Sequence, residues 1–182
     1  MLKLFSLAAA GLAMTLSAAI FGFFYAWVCS TMWGLDTADP RVAIEAMNAM
    51  NASVRNWTFA PAFFGPGPAF LLAAVLGWAS GARRSGVLFG LAGLVYVLFA
   101  QLLTMHVNVP MNEALGQVET PASRAEAEAI WTAYSGRWQV FNMIRTLTSL
   151  IAFWLGLAGL VSLSVHHVQS PSQVRFAPQR AA

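Results

Sequence analysis

One stripe of aromatic and polar residues stands out in the last apolar part of the chain, because its members recur at helical spacing. At about 100° per residue they fall within an arc of about 80° on one helix face. The members are Trp131, Tyr134, Trp138, Asn142, Arg145 and Ser149. Guanidinium and amide groups can stabilise an oxyanion, and flat rings can line a pocket for an apolar ligand. The stripe therefore predicts a functional face, although aromatic residues alone are also typical of a membrane-interface belt.

Arg145 is the most informative member, because it lies inside the apolar run 140–165. A charge there costs at least about 2.5 kcal/mol unless it is paired or reaches the headgroups. We expect Arg145 to face the interior of a helix bundle, and the alternative is that it extends to the outer headgroups. Asn142 precedes it on the same face and has no charge to draw it outward, which favours an internal polar site.

A second polar group lies at the end of the third apolar run, within Thr104–Asn112. His106, Asn108 and Asn112 should lie at about the membrane depth of Arg145. A neutral imidazole can accept a proton, although a single histidine in a membrane is also typical of a hydrogen-bonded packing residue. His106 has no second histidine at ligand spacing, so a metal would need Glu113 or Cys29 as well. We therefore predict no metal.

The first apolar run carries Gly22, Tyr25, Cys29 and Trp33 on one helix face. Small residues on such a face permit close helix packing. We expect the Tyr25 hydroxyl to point into the same cavity as Arg145. Cys29 is the single cysteine, so the chain cannot form an internal disulfide.

The composition is that of a membrane protein, with 58% hydrophobic and 9% charged residues among 182, whereas about a quarter of the residues of a soluble domain are charged. We predict an all-α, membrane-embedded four-helix bundle. Its spans cover about residues 4–34, 58–80, 86–107 and 140–165, each near the required 20 residues or longer. Pro61, Pro66 and Pro68 should kink the second span. A cleavable signal peptide is the alternative for the first.

The charges predict the orientation. Basic residues without acids occupy the N-terminus, the short loop at Arg83–Arg84 and the tail, whereas all seven acids lie in the loops 35–57 and 108–139. By the positive-inside rule both termini are cytoplasmic, as expected for a protein of a bacterial inner membrane. A net charge of +3 without a long basic run argues against a nucleic-acid partner.

Both acidic loops should contain amphipathic helices. Asp39-Pro40 provides an N-cap and a proline at the first helical position, and Ser123 to Glu126 fits a capping box. The tail 166–182 has no periodicity and is predicted to be disordered. Whether the chains form a homo-oligomer stays open.

Several segments together resemble the anthrone-oxygenase-like family of small four-helix membrane proteins, most of whose bacterial members are functionally undescribed. The segments are Phe24-Tyr25-Ala26-Trp27, Gly34-Leu35, Asp39-Pro40 through Asn51, Phe63-Phe64-Gly65-Pro66, Asn108-Val109-Pro110-Met111-Asn112, and Trp138 through Asn142 to Arg145-Thr146. The likeness covers about residues 20 to 160. It implies a cofactor-independent oxygenase acting on a small hydrophobic aromatic molecule near the extracytoplasmic face.

Such an enzyme needs a base, oxyanion donors and flat apolar walls. Under this resemblance His106 would be the base, and Asn142 and Arg145 would be catalytic donors. The predicted substrate-binding residues are Tyr25, Asn108, Asn112, Trp131, Tyr134 and Trp138. The alternative is a non-catalytic binding or accessory membrane protein whose polar cluster is structural. A small transporter or channel component has only the kinked second span in its favour.

Overall fold

The computed structural model describes residues 1–119 and 121–169, and within them it is built from helices. The α-helices are α1 (Leu2–Ala26), α2 (Met32–Thr37), α3 (Pro40–Ser53), α4 (Phe59–Phe64), α5 (Pro66–Ala79), α6 (Arg83–Tyr96), α7 (Val109–Gly116) and α8 (Arg124–Gln169). Three π-helical turns, Trp27–Thr31, Val97–Leu102 and Thr104–Asn108, connect α1 to α2 and α6 to α7. The predicted all-α fold class is therefore confirmed.

Among residues 1–119 and 121–169, three continuous helical segments are long and apolar enough to cross a membrane. They cover Leu2–Thr37, Arg83–Gly116 and Arg124–Gln169. The remaining apolar helix, Pro66–Ala79, is shorter, and α4 precedes it in the chain. The four helices α1, α5, α6 and α8 pack in a ring, in which α1 contacts α5 and α8, and α6 contacts the same two neighbours. The protein is thus a membrane helical bundle.

The break between α4 and α5 falls at Gly65. Pro66 has no N–H group, so it suits the first position of a new helix better than the interior of a continuous one. A Cβ atom at Gly65 would collide with the Pro61 carbonyl oxygen and with the Leu16 side chain. Glycine at this break therefore leaves room for the Pro61 carbonyl oxygen and lets α1 pack directly against the junction of α4 and α5.

Small residues hold the helices close together in one half of the bundle. A Cβ atom added to Gly156 would lie 2.6 Å from Cε1 of the Phe70 ring, and one added to Gly159 would lie 2.9 Å from Cε1 of the Phe89 ring. Both rings are fully buried. Close packing of this kind replaces the hydrophobic effect as the main attraction between helices in lipid.

The N-terminus at Lys3, the loop before Arg83–Arg84 and the end of α8 contact one another at the end of this half. We call it the basic end. The Lys3 ammonium donates to the His167 carbonyl at 3.2 Å, and His166 Nε2 contacts the Ser80 carbonyl at 3.2 Å, one turn before Arg83–Arg84. Helix α8 continues through Gln169, so residues 166–169 are helical rather than disordered. The rest of the predicted tail, 170–182, lies outside the described residues.

Helix α3 begins at Pro40 with Asp39 as its N-cap, as the Asp39-Pro40 pattern predicts, and it covers the opposite, acidic end. The Asp39 carboxylate accepts hydrogen bonds from the Arg41 side chain and backbone N–H, each at 3.0 Å, and this bonding lowers the pKa of Asp39 to about 2. Ala43, Ile44 and Met47 form the fully buried face of α3. Helix α8 starts as its capping pattern predicts and runs uninterrupted from this end to the basic end.

Candidate functional site

A cavity of about 610 Å³ lies in the acidic half of the bundle. Its lining comes from α1 and the first π-turn, the end of α3 with the following loop, α4, the third π-turn with α7, and α8. The lining residues are Phe23, Phe24, Trp27, Asn51, Val54, Arg55, Asn56, Trp57, Phe59, Ala60, Phe63, Phe64, Thr104, Val109, Asn112, Glu113, Trp138 and Arg145. Trp57 lies at the mouth, and seven of the other lining residues are Phe or Trp. We therefore call it the aromatic cavity.

The aromatic cavity forms where the bundle changes from close packing to looser packing. Tyr96, the last residue of α6, is fully buried, and its hydroxyl group donates to the Phe63 carbonyl at 2.6 Å, which joins α6 to α4 at this level. Trp27 and Thr104, which line the cavity, belong to π-helical turns. A π-turn bonds residue i to i+5 and so shifts the helix face on which the following side chains lie, a feature frequent at functional sites.

Arg145 lies in the interior of the cavity with only 4% of its surface exposed. Its Nε–H group donates to Asn142 Oδ1 at 2.8 Å. The guanidinium carbon lies 4.5 Å from the centroid of the Phe24 ring and 4.8 Å from that of Trp138. Within residues 1–119 and 121–169 no carboxylate lies within ion-pair distance of Arg145. The charge is therefore held by ring faces and one amide, and it remains available to a ligand.

Asn142 connects Arg145 to the first segment. It is 1% exposed, and its Nδ2 group donates to the Phe24 carbonyl at 3.3 Å while its Oδ1 atom accepts from Arg145. Thr146 donates its hydroxyl hydrogen to the Asn142 carbonyl at 2.7 Å. Asn142 does not line the cavity, so its contact is with Arg145 rather than with a bound molecule.

Asn112 on α7 holds two aromatic side chains of α8 in place. Its Oδ1 atom accepts from the Tyr134 hydroxyl at 2.8 Å and from Trp138 Nε1 at 2.9 Å. Its Nδ2 group donates to Asn51 Oδ1 at 2.9 Å, which ties α3 to the same point. Because Trp138 also stacks on Arg145, Asn112 controls the position of one wall of the cavity.

Asp36 has a similar role closer to the acidic end. One carboxylate oxygen accepts from Trp131 Nε1 at 2.9 Å and from the Ser135 hydroxyl at 2.6 Å, and the other accepts from Gln139 Nε2 at 2.9 Å. These bonds join α2 to α8. Trp131 and Tyr134 are buried in this region and lie outside the lining of the cavity.

The family model for anthrone oxygenase matches residues 55–155, which is more than half of the chain. The chain belongs to the anthrone oxygenase family. The matched region contains α4, α5, α6, α7 and most of α8, with Arg145 and Asn112 among its residues. Searches of curated proteins and of solved structures gave no match.

Two of the residues predicted for the site lie elsewhere in this anthrone oxygenase family protein. His106 is exposed on the outer surface of the bundle and its Nδ1 atom bonds to the Leu102 carbonyl at 2.9 Å. Tyr25 is 50% exposed and stacks on Phe21, with 5.9 Å between ring centroids. The predicted convergence of His106 with Arg145, and of Tyr25 with the cavity, is wrong. Equal membrane depth does not fix the side of a helix on which a residue lies.

The structure separates the other predicted site residues into three groups. Arg145, Asn112 and Trp138 line the aromatic cavity. Asn142, Trp131 and Tyr134 are buried behind it and support it through hydrogen bonds. Asn108 is fully buried, and neither end of its amide has a hydrogen-bond partner among the described residues.

The sequence reasoning missed most of the aromatic lining. Phe23 and Trp27 on the first segment, and Phe59 and Phe63 on α4, form contacts with ring centroids 4.8 to 6.3 Å apart. Their spacing of four residues within each helix was a usable signal. The ion pair between Arg55 and Glu113 at the mouth was not predicted either; Arg55 Nη2 lies 3.3 Å from Glu113 Oε1. In the described part of the chain no group of three or more His, Cys, Asp or Glu residues forms a candidate metal site.

Proposed function

We propose that this protein is an oxygenase-like enzyme that uses dioxygen directly, without a metal or organic cofactor, on a small, flat, hydrophobic aromatic molecule bound in the aromatic cavity. The observation that carries the proposal is the buried Arg145 guanidinium between Phe24 and Trp138, without a carboxylate partner among the described residues. A buried, unpaired charge is costly. The cost is offset if the charge stabilises a bound ligand that carries a negatively charged oxygen or develops one during the reaction.

The chemistry of an anthrone matches these parts. Its ring methylene is flanked by two aryl rings and conjugated to a carbonyl, so loss of a proton gives an anion whose charge reaches the carbonyl oxygen. Arg145 would stabilise that oxygen, as donors placed at a developing charge do. Phe24, Trp27 and Trp138 would bind the flat rings.

The reaction balances with dioxygen as the oxidant. The methylene carbon is oxidised to a second ketone carbon by forming a bond to one oxygen atom of O₂. The other oxygen atom leaves as water together with the two methylene hydrogens. The carbanion supplies the electrons, so the protein needs to provide a base, a site for the anion and protection from water.

We also propose that all four helical segments cross the bilayer and that the cavity opens toward the extracytoplasmic side. Lys3, Arg83 and Arg84 lie at the basic end, opposite the cavity. By the positive-inside rule that end is cytoplasmic, with both termini. Because Cys29 is a free, exposed cysteine, it is first replaced by serine. Reaction of externally added, membrane-impermeant thiol reagents with single cysteines introduced at Trp57 and at Arg84 would then test this: only the Trp57 position should react in intact cells.

The test of the activity uses the purified protein in detergent with an anthrone in air, and follows the absorbance of the quinone above a protein-free blank. We expect turnover in the parent and a loss of about 100-fold to 1000-fold in Arg145→Met, the range for removal of an oxyanion donor. Arg137→Met is the matched control, because Arg137 is an exposed arginine on the same helix outside the cavity. Equal turnover in the two variants would contradict the role of Arg145.

A second candidate, a non-catalytic accessory protein, is favoured by the hydrogen-bonded groups at Asp36 and Asn112, which join α2, α3 and α7 to α8 without any ligand. In that case the parent would show no turnover and no saturable binding of an aromatic ketone. Loss of thermal stability in Arg145→Met would then be the main effect of the substitution.

A further inference from the structure

The aromatic cavity contains one side chain that can serve as a general base, and it is not the predicted His106. Among the described lining residues, Glu113 is the only one with a carboxylate, and none is a histidine. The other ionisable lining residues are Arg55 and Arg145, which stay protonated at neutral pH. This inference rests on the proposed oxygenase function and assigns the proton-transfer step within it.

Glu113 and Arg145 line the cavity at different depths. Arg145 is 4% exposed and therefore lies deep in the cavity, whereas the Glu113 side chain is 57% exposed and lies at the mouth. Glu113 follows Asn112, whose bonds to Trp138 and Asn51 fix α7 at the edge of the cavity. The carboxylate is thus placed on a helix that is tied directly to the aromatic wall.

The carbonyl and the methylene of an anthrone occupy opposite positions of its central ring. A molecule with its carbonyl oxygen on Arg145 would therefore direct its methylene carbon toward the mouth, where Glu113 lies. The ion pair with Arg55, at 3.3 Å, holds the carboxylate in position at this end.

We propose that Glu113 is the catalytic base that removes the methylene proton. The C–H bond breaks, the proton moves to a carboxylate oxygen, and the electron pair stays on the substrate as an anion stabilised by Arg145. Dioxygen then takes up these electrons as the C–O bond forms, and Glu113 returns the proton to the resulting peroxide oxygen. The O–O bond then breaks: its outer oxygen leaves as hydroxide, the carbon loses the second methylene hydrogen as a proton, and the two combine as water, which leaves the ketone and the ionised carboxylate.

The test separates proton abstraction from oxidation. Exchange of the methylene hydrogens for deuterium is measured by NMR without oxygen, quinone formation is measured in air, and binding of an anthraquinone is measured by quenching of tryptophan fluorescence. We expect Glu113→Gln to lower both rates by about 100-fold or more while it still binds the quinone. Glu113→Asp should recover part of both rates.

Arg55→Gln is the matched control, because it breaks the same ion pair but keeps the carboxylate. Its exchange rate should exceed that of Glu113→Gln by at least about tenfold. If the parent is active and Glu113→Gln exchanges and oxidises within about threefold of it, Glu113 is not the base and the oxygenase function stands. If the parent neither exchanges the methylene hydrogens nor oxidises the anthrone, both proposals are overturned.

Discussion

The Arg145 guanidinium lies over the Trp138 ring two turns away on α8, with 4.8 Å between the guanidinium carbon and the centroid of the indole ring. Trp138 is in turn fixed by its hydrogen bond to Asn112. The position of the buried charge therefore depends on α7 as well as on α8. A ligand in the aromatic cavity would meet a cation that the fold has already oriented.

This arrangement predicts that removal of the charge weakens ligand binding, and that it lowers stability only where Asn142 is left without its hydrogen-bond donor. Replacing a buried charge by an apolar side chain is often neutral or stabilising. Arg145→Met alone leaves Asn142 Oδ1 without its donor, at a cost of about 1–3 kcal/mol. The double variant Arg145→Met, Asn142→Leu should therefore melt at or above the parent temperature. It should bind an anthraquinone at least about tenfold more weakly, measured by fluorescence quenching. A double variant that binds as tightly as the parent would contradict a ligand-directed role for Arg145.

The close contact of Gly156 with Phe70 predicts a steric effect in the tightly packed half. A Cβ atom at Gly156 would lie 2.6 Å from a ring carbon of a fully buried side chain. Gly156→Ala should therefore destabilise the bundle by about 1–3 kcal/mol, the usual cost of overpacking. Gly90→Ala is the control, because Gly90 is helical and a Cβ there would meet no atom within 4 Å. Thermal unfolding in detergent measures both, and equal melting temperatures would show that the helices can separate at no cost.

The Asp39–Arg41 contact predicts how the start of α3 responds to pH. Hydrogen bonding from Arg41 lowers the pKa of Asp39 to about 2 from its ordinary value of 3.8. Because the folded-state pKa is the lower one, the contribution of this carboxylate to stability is present above about pH 4. It is lost as the pH falls toward 2. An NMR titration of the Asp39 carboxyl should show this midpoint, and Arg41→Leu should move it back toward 3.8. An unchanged midpoint in that variant would assign the shift to another group.

The main helices could be predicted from the sequence because each signal is local. Apolar runs, the Asp39-Pro40 cap and the regular spacing from Trp131 to Ser149 are properties of single helices. The placement of Asn142 and Arg145 on one helix face followed from the same spacing, since residues three apart on a helix are neighbours.

The cavity itself could be predicted only in part, because it depends on which side of each helix faces the centre. Gly22, Tyr25, Cys29 and Trp33 do share a face, but all four are exposed. His106 lies in a π-helical turn, where the usual angle per residue does not apply. No local pattern shows that α3 closes over the acidic end, since that depends on contacts between distant residues.

The three hydrogen bonds of Asn112 predict a graded loss of stability. Asn112→Leu removes the acceptor of Tyr134 and Trp138 and should cost about 2–4 kcal/mol, because buried donors without a partner cost about 1–3 kcal/mol each. Tyr134→Phe removes one bond and should cost about 1 kcal/mol. Asn112→Asp keeps the acceptor, and Asn51 can turn its amide to donate, since its Nδ2 is buried without a partner in the described part of the chain. Thermal unfolding should therefore rank Asn112→Asp closest to the parent, then Tyr134→Phe, then Asn112→Leu. If Asn112→Leu proves as stable as Tyr134→Phe, Trp138 is held by packing alone.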